Sequence, residues 1–168
     1  MRLTHVDDVI VKVVGNRKTG LWGSTTLRRG TGERRTAGRL NTHSTNHTLQ
    51  TVALVTSLKA ISRNDVTRLL QGSDKAKPRL VIAAQDATFV DALQQFIGQK
   101  VATKPIRAAK GLHDVLRRQL DRFDVTVRSP ENTDFSIMGL YAWAAKTVLS
   151  PIQLDGIPPS LAPLAISA

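Results

Sequence analysis

The acids are the first residues to examine for chemistry. Asp7 and Asp8 form a pair, Asp86 stands alone, and Glu131 and Asp134 lie three apart. Carboxylates that converge on one point hold hard cations such as Mg²⁺ or Mn²⁺ and support hydrolysis of phosphate esters. Each of these acids also has an ordinary role. Asp86 follows the apolar run "LVIAAQ" and precedes "ATFVDAL", a strand-to-helix junction at which aspartate caps the helix. Asp7 and Asp8 open a strand and are expected to be solvated at its end. Glu131 and Asp134 fall in the first turn of an expected helix, where acids suit the helix dipole. His43 and His47 are four apart, but no third ligand accompanies them, so no metal site is expected there. The chain has no cysteine, which excludes disulfides, thiolate metal sites and cysteine nucleophiles. That composition is compatible with the cytoplasm or another reducing compartment.

The second chemical feature is charge. The 168 residues carry a formal net charge of +11, of which +6 lies in the first fifty. Such an excess favours a polyanionic partner, most simply nucleic acid. "GNRKTG" lacks the Gly-Lys-Ser/Thr ending of a phosphate loop and reads as a hairpin turn, with Arg17 and Lys18 free to meet phosphates. Arg28, Arg29, Arg34 and Arg35 flank the next turn and form the densest basic cluster. Lys100, Lys104 and Arg107 make a basic connector. Arg117, Arg118 and Arg122 are expected on the solvated side of a later helix. Aromatics are only 4% of the chain, too few for a broad base-stacking platform. Trp22, Phe89, Phe96, Phe135, Tyr141 and Trp143 are therefore expected in the core.

These groups must be positioned by a mixed fold. "DDVIVKVVG", "LWGSTTLRRG" and "RRTAGRLNT" read as three strands joined by short turns, an antiparallel meander. "STNHTLQTVALVTSLKAI" is an amphipathic helix that Ser44, Thr45 or Asn46 can cap. "RNDVTRLLQGSD" is a short helical turn ending at Gly72, and "KPRLVIAAQ" is a strand buried on both faces. "DATFVDALQQFIG" and "RAAKGLHDVLRRQLDRF" are helices, "DVTVRS" is the last strand, and "PENTDFSIMGLYAWAAKTVLS" is the last helix. The expected result is an α/β fold whose five-stranded mixed sheet carries helices on its faces. Residues 1–149 form the expected domain, and residues 150–168 a proline-rich apolar tail that packs back on the domain or docks on a protein partner. The N-terminus does not resemble a signal peptide, and no segment reaches the length of a membrane span.

Four stretches, in order and spacing, resemble the type 1 ribonuclease H family. "GLWGSTTL" looks like its second strand, and "STNHTLQTVALVTSL" is similar to its Thr-Thr-Asn-Asn-x-x-Glu-Leu helix start. "LVIAAQDATFVDAL" looks like its strand–Thr-Asp-Ser–helix turn, and "VTVRSPENTDFSIMGLYAWA" resembles its last strand and helix. The resemblance spans about residues 9–148 and implies a ribonuclease-H-like fold. It also implies two-metal hydrolysis of the RNA strand of an RNA–DNA hybrid by four carboxylates. Carried over by position, those acids fall near Val14, at Gln50, at Asp86 and near Ser136. Only Asp86 is acidic. Gln50 has nearly the shape of glutamate without its charge. Thr45, Asn46 and His47 match family positions that contact the hybrid's backbone and minor groove.

The resulting expectation is a catalytically inactive domain that binds an RNA–DNA hybrid or structured RNA inside a larger nucleoprotein assembly, with no cofactor. An active enzyme using Mg²⁺ or Mn²⁺ would need Asp86 with relocated acids such as Asp8, Glu131 or Asp134. A structural protein-interaction module is the third expectation.

Overall fold

The computed structural model describes residues 8–40, 44–84, 86–98, 110–128, 139–140, 143–147 and 165–167. The meander forms as expected: β1 (Val9–Asn16), β2 (Leu21–Arg28) and β3 (Gly32–Arg39) pair antiparallel. Its turns are set by glycines with positive φ, Gly20 at 72° and the pair Gly30 and Gly32 at 86° and 82°, a conformation that side chains resist. Helices α1 (Asn46–Lys59) and α2 (Arg63–Leu70) lead into β4 (Arg79–Ala84), which lies parallel to β1. Helices α3 (Ala87–Gly98) and α4 (Lys110–Leu120) then lead to β5 (Asp124–Arg128), parallel to β4. Residues 139–140 and 143–147 are helical. A last strand, β6 (Ala165–Ser167), pairs antiparallel with Thr36–Gly38, so the sheet order is β5-β4-β1-β2-β3-β6. The five-stranded sheet is thus present, and this short piece of the tail is added to the β3 edge.

The two faces of the sheet follow from strand alternation. Val9, Val11 and Val13 of β1, with Leu80, Ile82 and Ala84 of β4, pack under α1, α3 and α4 in the main core. That core also takes Leu49, Ala53, Leu54 and Leu58 of α1 and Phe89, Leu93 and Phe96 of α3. Val14 points to the opposite face, where it packs with Ala83, Leu140 and Trp143. Trp22, Phe89 and Phe96 are buried as expected, whereas Phe135 and Tyr141 lie outside the described residues.

Gly23 lets the helical residues near 144 approach that second face. A Cβ there would stand 2.9 Å from Ala144 Cβ and 3.3 Å from Val14 Cγ2. Neither neighbour can swing aside, because both atoms sit close to their own backbones. Gly23→Ala is expected to cost about 2 kcal/mol through overpacking, read as a lower urea midpoint at an unchanged slope.

Two expectations from sequence need correction. The "short helical turn" is a full helix, α2, because Ser62 and Asp65 form a reciprocal capping box. Nor do the α4-region arginines all face water. Arg117 stacks 4.0 Å from the Phe96 ring and donates to its carbonyl, and Arg122 donates to the carbonyls of Leu58 and Ile61. Long cationic side chains here tie down carbonyls at the carboxyl ends of α3 and α1, which periodicity alone does not reveal. Burial, followed by the charge of Arg63, lowers the Arg122 pKa from its ordinary value. Arg118 is exposed, as expected.

Candidate nucleic-acid interface

The carboxyl ends of β1 and β4 open onto a cleft of about 530 Å³, lined by Arg17, Thr45, Asn46, His47, Asp86, Thr88, Asp91, Ala92 and Gln95. The ends of α1 and α3 build it. Thr45 caps α1 by accepting the Thr48 N–H at 3.1 Å, which leaves Ser44 and Asn46 without that role. Asn46 turns outward instead, and its Oδ1 accepts the Arg17 backbone N–H at 2.8 Å. That bond fixes the β1–β2 turn against α1. His47 bridges α1 to α3, with Nε2 3.3 Å from Thr88 Oγ1 and its ring edge-on to Phe89.

Asp86 lies at this junction in the capping role. Its Oδ1 accepts the Thr88 N–H at 3.0 Å and the Thr88 hydroxyl at 2.8 Å, while its carbonyl accepts the Val90 N–H. Both helices thus present amino ends toward the cleft, and neither has an acidic residue in its first turn. The partial positive charge of those ends joins that of the exposed Arg17, opposed by Asp86 and Asp91.

The three described positions matched to the family's acids do not share one surface. Gln50 is 1% exposed and lies behind the cleft, donating through Nε2 to the Asn46 carbonyl at 3.2 Å. Its Oε1 has no hydrogen-bond partner among the described residues. The end of β1 presses against it: a Cβ on Gly15 would lie 2.9 Å from Leu49 Cβ and 3.4 Å from Gln50 Cγ. Val14, one residue earlier, belongs to the apolar cluster on the other face. Ser136 lies outside the described residues, as do Asp7, Glu131, Asp134, Lys100, Lys104 and Arg107.

Among the described residues no group of three or more His, Asp and Glu side chains comes together. The described donors, one capping carboxylate with Asp91 nearby and an amide at Gln50, do not fit a pair of hard cations, which need several shared oxygens. Asp8 does not supply the deficit. It sits at the opposite end of β1, beside Arg79 at the start of β4, roughly 20 Å from Asp86 at about 3.3 Å per strand residue. Nor is it solvated, as its sequence position suggested. Asp8 is buried, accepts the Arg79 N–H at 2.8 Å, and contacts Lys75 at 3.2 Å and Arg29 at 3.1 Å. The Arg29 contact lacks hydrogen-bond geometry and counts as charge attraction.

The basic residues divide similarly. Arg17 lines the cleft and Lys18 is exposed on the same turn. Arg28 and Arg29 lie at the far end of the sheet, where Arg28 pairs with Asp65 at 3.0 Å. Arg34 is exposed on β3, while Arg35 pairs loosely with Glu33 and lies over the Trp143 ring. Sequence reading missed Asp91 and Gln95. With Thr88 and Ala92 they form one face of α3, a spacing of three, four and seven that helical periodicity would have exposed.

No family model matches the chain, and no curated protein matches it significantly. Solved structures do. RNase H1 from the halophilic archaeon Halobacterium salinarum NRC-1 aligns with a TM-score of 0.52 at 12% identity, over 83% of this chain and 95% of that one. LC9-RNase H1, described as a type 1 RNase H with the type 2 active-site motif, aligns at 0.53 and 13%, over 86% of this chain and 74% of that one. With the strand order and the antiparallel meander, these likenesses establish that the chain has the ribonuclease-H-like fold.

Proposed function

We propose that this chain is a ribonuclease-H-like domain that binds nucleic acid in the cleft at the carboxyl ends of β1 and β4 without cutting it. Its place is within a larger nucleoprotein assembly. The observation that carries the reading is the contrast inside that site. Arg17, two helix amino ends and the polar groups of Thr45, Asn46 and His47 face outward, where phosphates and 2′-hydroxyls can be met. Behind them the position matched to a catalytic acid holds the buried, neutral Gln50. The +11 charge supplies the long-range attraction.

Fluorescence anisotropy with a labelled RNA–DNA hybrid, and with DNA and RNA duplexes of the same sequence, tests binding. Affinity is expected to fall steeply between 50 and 200 mM salt, as counterion release requires. Arg17→Glu is expected to weaken binding on the order of tenfold, since it replaces a phosphate contact by repulsion. The same mixtures, incubated with Mg²⁺ or Mn²⁺, are expected to yield no cleavage product. Hydrolysis that disappears in Asp86→Asn, a change that preserves helix capping, would overturn this reading in favour of an active enzyme.

A further inference from the structure

A second concavity, of about 260 Å³, lies at the opposite end of the sheet from the cleft. The β2–β3 turn and α2 form it, with Arg28, Arg29, Gly30, Thr31, Asp65, Arg68 and Leu69 as its lining. Three arginines against one aspartate is a strong local imbalance for so small a space. Two of them are held in place. Arg28 Nη1 donates to Asp65 Oδ2 at 3.0 Å, and Arg29 Nη2 donates to the Leu69 carbonyl at 2.6 Å while contacting Asp8. A guanidinium carries five N–H donors, so these contacts fix each fork and leave donors to spare. Asp65 stays negative and offsets one of the three charges, which leaves the lining net positive, and its carboxylate is fixed in place. It also accepts the Ser62 N–H at 2.8 Å, and that backbone bond leads the causes that hold its pKa below the ordinary value. Arg68 is exposed on α2, and Thr31 adds a hydroxyl from the facing turn.

We propose that this pocket is a phosphate-binding site separate from the cleft, taking a phosphate monoester or diester group on the guanidiniums of Arg28, Arg29 and Arg68. The chemistry fits the geometry: the planar forks of Arg28 and Arg29, held at fixed angles, match tetrahedral oxyanions, and their ordering cost is met before the ligand arrives. The volume suits a phosphate with an attached sugar rather than a large ligand. The phosphate comes either from a nucleic-acid strand extending roughly 20 Å beyond the cleft or from a small phosphorylated compound.

Calorimetric titration with inorganic phosphate, at ionic strength matched with chloride, tests the site in the full chain. Saturable binding is expected in the wild type. It should weaken on the order of tenfold in Arg68→Ala, the loss of one charge-assisted contact, and persist in Arg118→Ala, which removes an exposed arginine elsewhere. Thr31→Ala provides a second probe that leaves the ion pairs in place. Anisotropy with a long RNA–DNA hybrid separates the two sources. Weaker hybrid binding by Arg68→Ala assigns a backbone phosphate, and unchanged hybrid binding with weakened phosphate binding assigns a small compound. Absence of saturable phosphate binding, or equal losses in the Arg68 and Arg118 variants, overturns the proposal. Arg17→Glu reports on the cleft alone, so failure there leaves this result standing.

Discussion

Asp8→Ala is expected to destabilise the fold by about 3 kcal/mol, although Asp8 lies far from the cleft. The buried carboxylate ties three separate elements: the start of β4 through the Arg79 N–H, the segment before it through Lys75, and the β2–β3 turn through Arg29. Removing it strands a backbone donor that had a 2.8 Å partner, a loss of about 1–3 kcal/mol where the donor is shielded from water. The two cations contribute less, because their side chains are 38% and 43% exposed and rehydrate when the acid is gone. Asp8→Asn keeps an acceptor for the Arg79 N–H and should lose roughly half as much. Lys75→Ala should cost less than about 1 kcal/mol. Urea denaturation of the four proteins ranks them directly. An Asp8→Ala midpoint equal to that of the wild type would mean that water reaches the carboxylate and the burial is not real.

Gln50→Glu is the second large effect, and it probes the candidate site itself. The side chain is 1% exposed, and the bond it donates from Nε2 to the Asn46 carbonyl cannot be made by a carboxylate. Glutamate would place a charge beside that carbonyl oxygen, with no ion pair to offset it among the described residues. Burial favours the neutral form, so the introduced acid would titrate higher in the folded chain than in the unfolded one. The sign follows from linkage: the charge penalty is absent below about pH 4, where both states are protonated, and grows as pH rises. A loss of about 3 kcal/mol at pH 7.5, shrinking to about 1 kcal/mol at pH 4, is expected from thermal or urea unfolding. Millimolar Mn²⁺ should not restore the loss, since binding that favours the folded state would raise the melting temperature with concentration. A saturating rise with Mn²⁺ would show that an acid at this position can gather a cation with Asp86, and would count against the separation of Gln50 from the cleft surface.

Much of the framework was legible because it is local. The run of Val9, Val11 and Val13 announces a buried strand, Gly20 and Gly30 mark turns, and Thr45 and Asp86 stand where caps belong. Asp86 was readable as a cap, the favoured description, and as a vestigial acid, and its bonds to Thr88 satisfy the first. What stayed hidden depends on long separations. Asp8 looked like a solvated strand end because nothing near it in sequence reveals Arg29, Lys75 or Arg79 as partners. Arg28 and Arg29 looked like one basic surface with Arg34 and Arg35, yet strand direction sends the first two toward α2. Val14 and Gly15 are neighbours on opposite faces of β1, so the residue matched to an acid faces away from α1 while the glycine after it lies against the helix.

The outer strands carry a consequence for how copies of this chain behave together. An open sheet ends in rows of unpaired amides and carbonyls, and such rows template the addition of foreign strands and lead to fibrils. On the β3 side, β6 covers Thr36–Gly38, and the stretch before it bears Glu33, Arg34 and Arg35. On the other side, β5 is only five residues long and begins and ends with charge, at Asp124 and Arg128. Both margins therefore discourage strand-to-strand aggregation, one by self-coverage and charge, the other by brevity and charge, so copies of this chain can be concentrated without their sheets joining edge to edge.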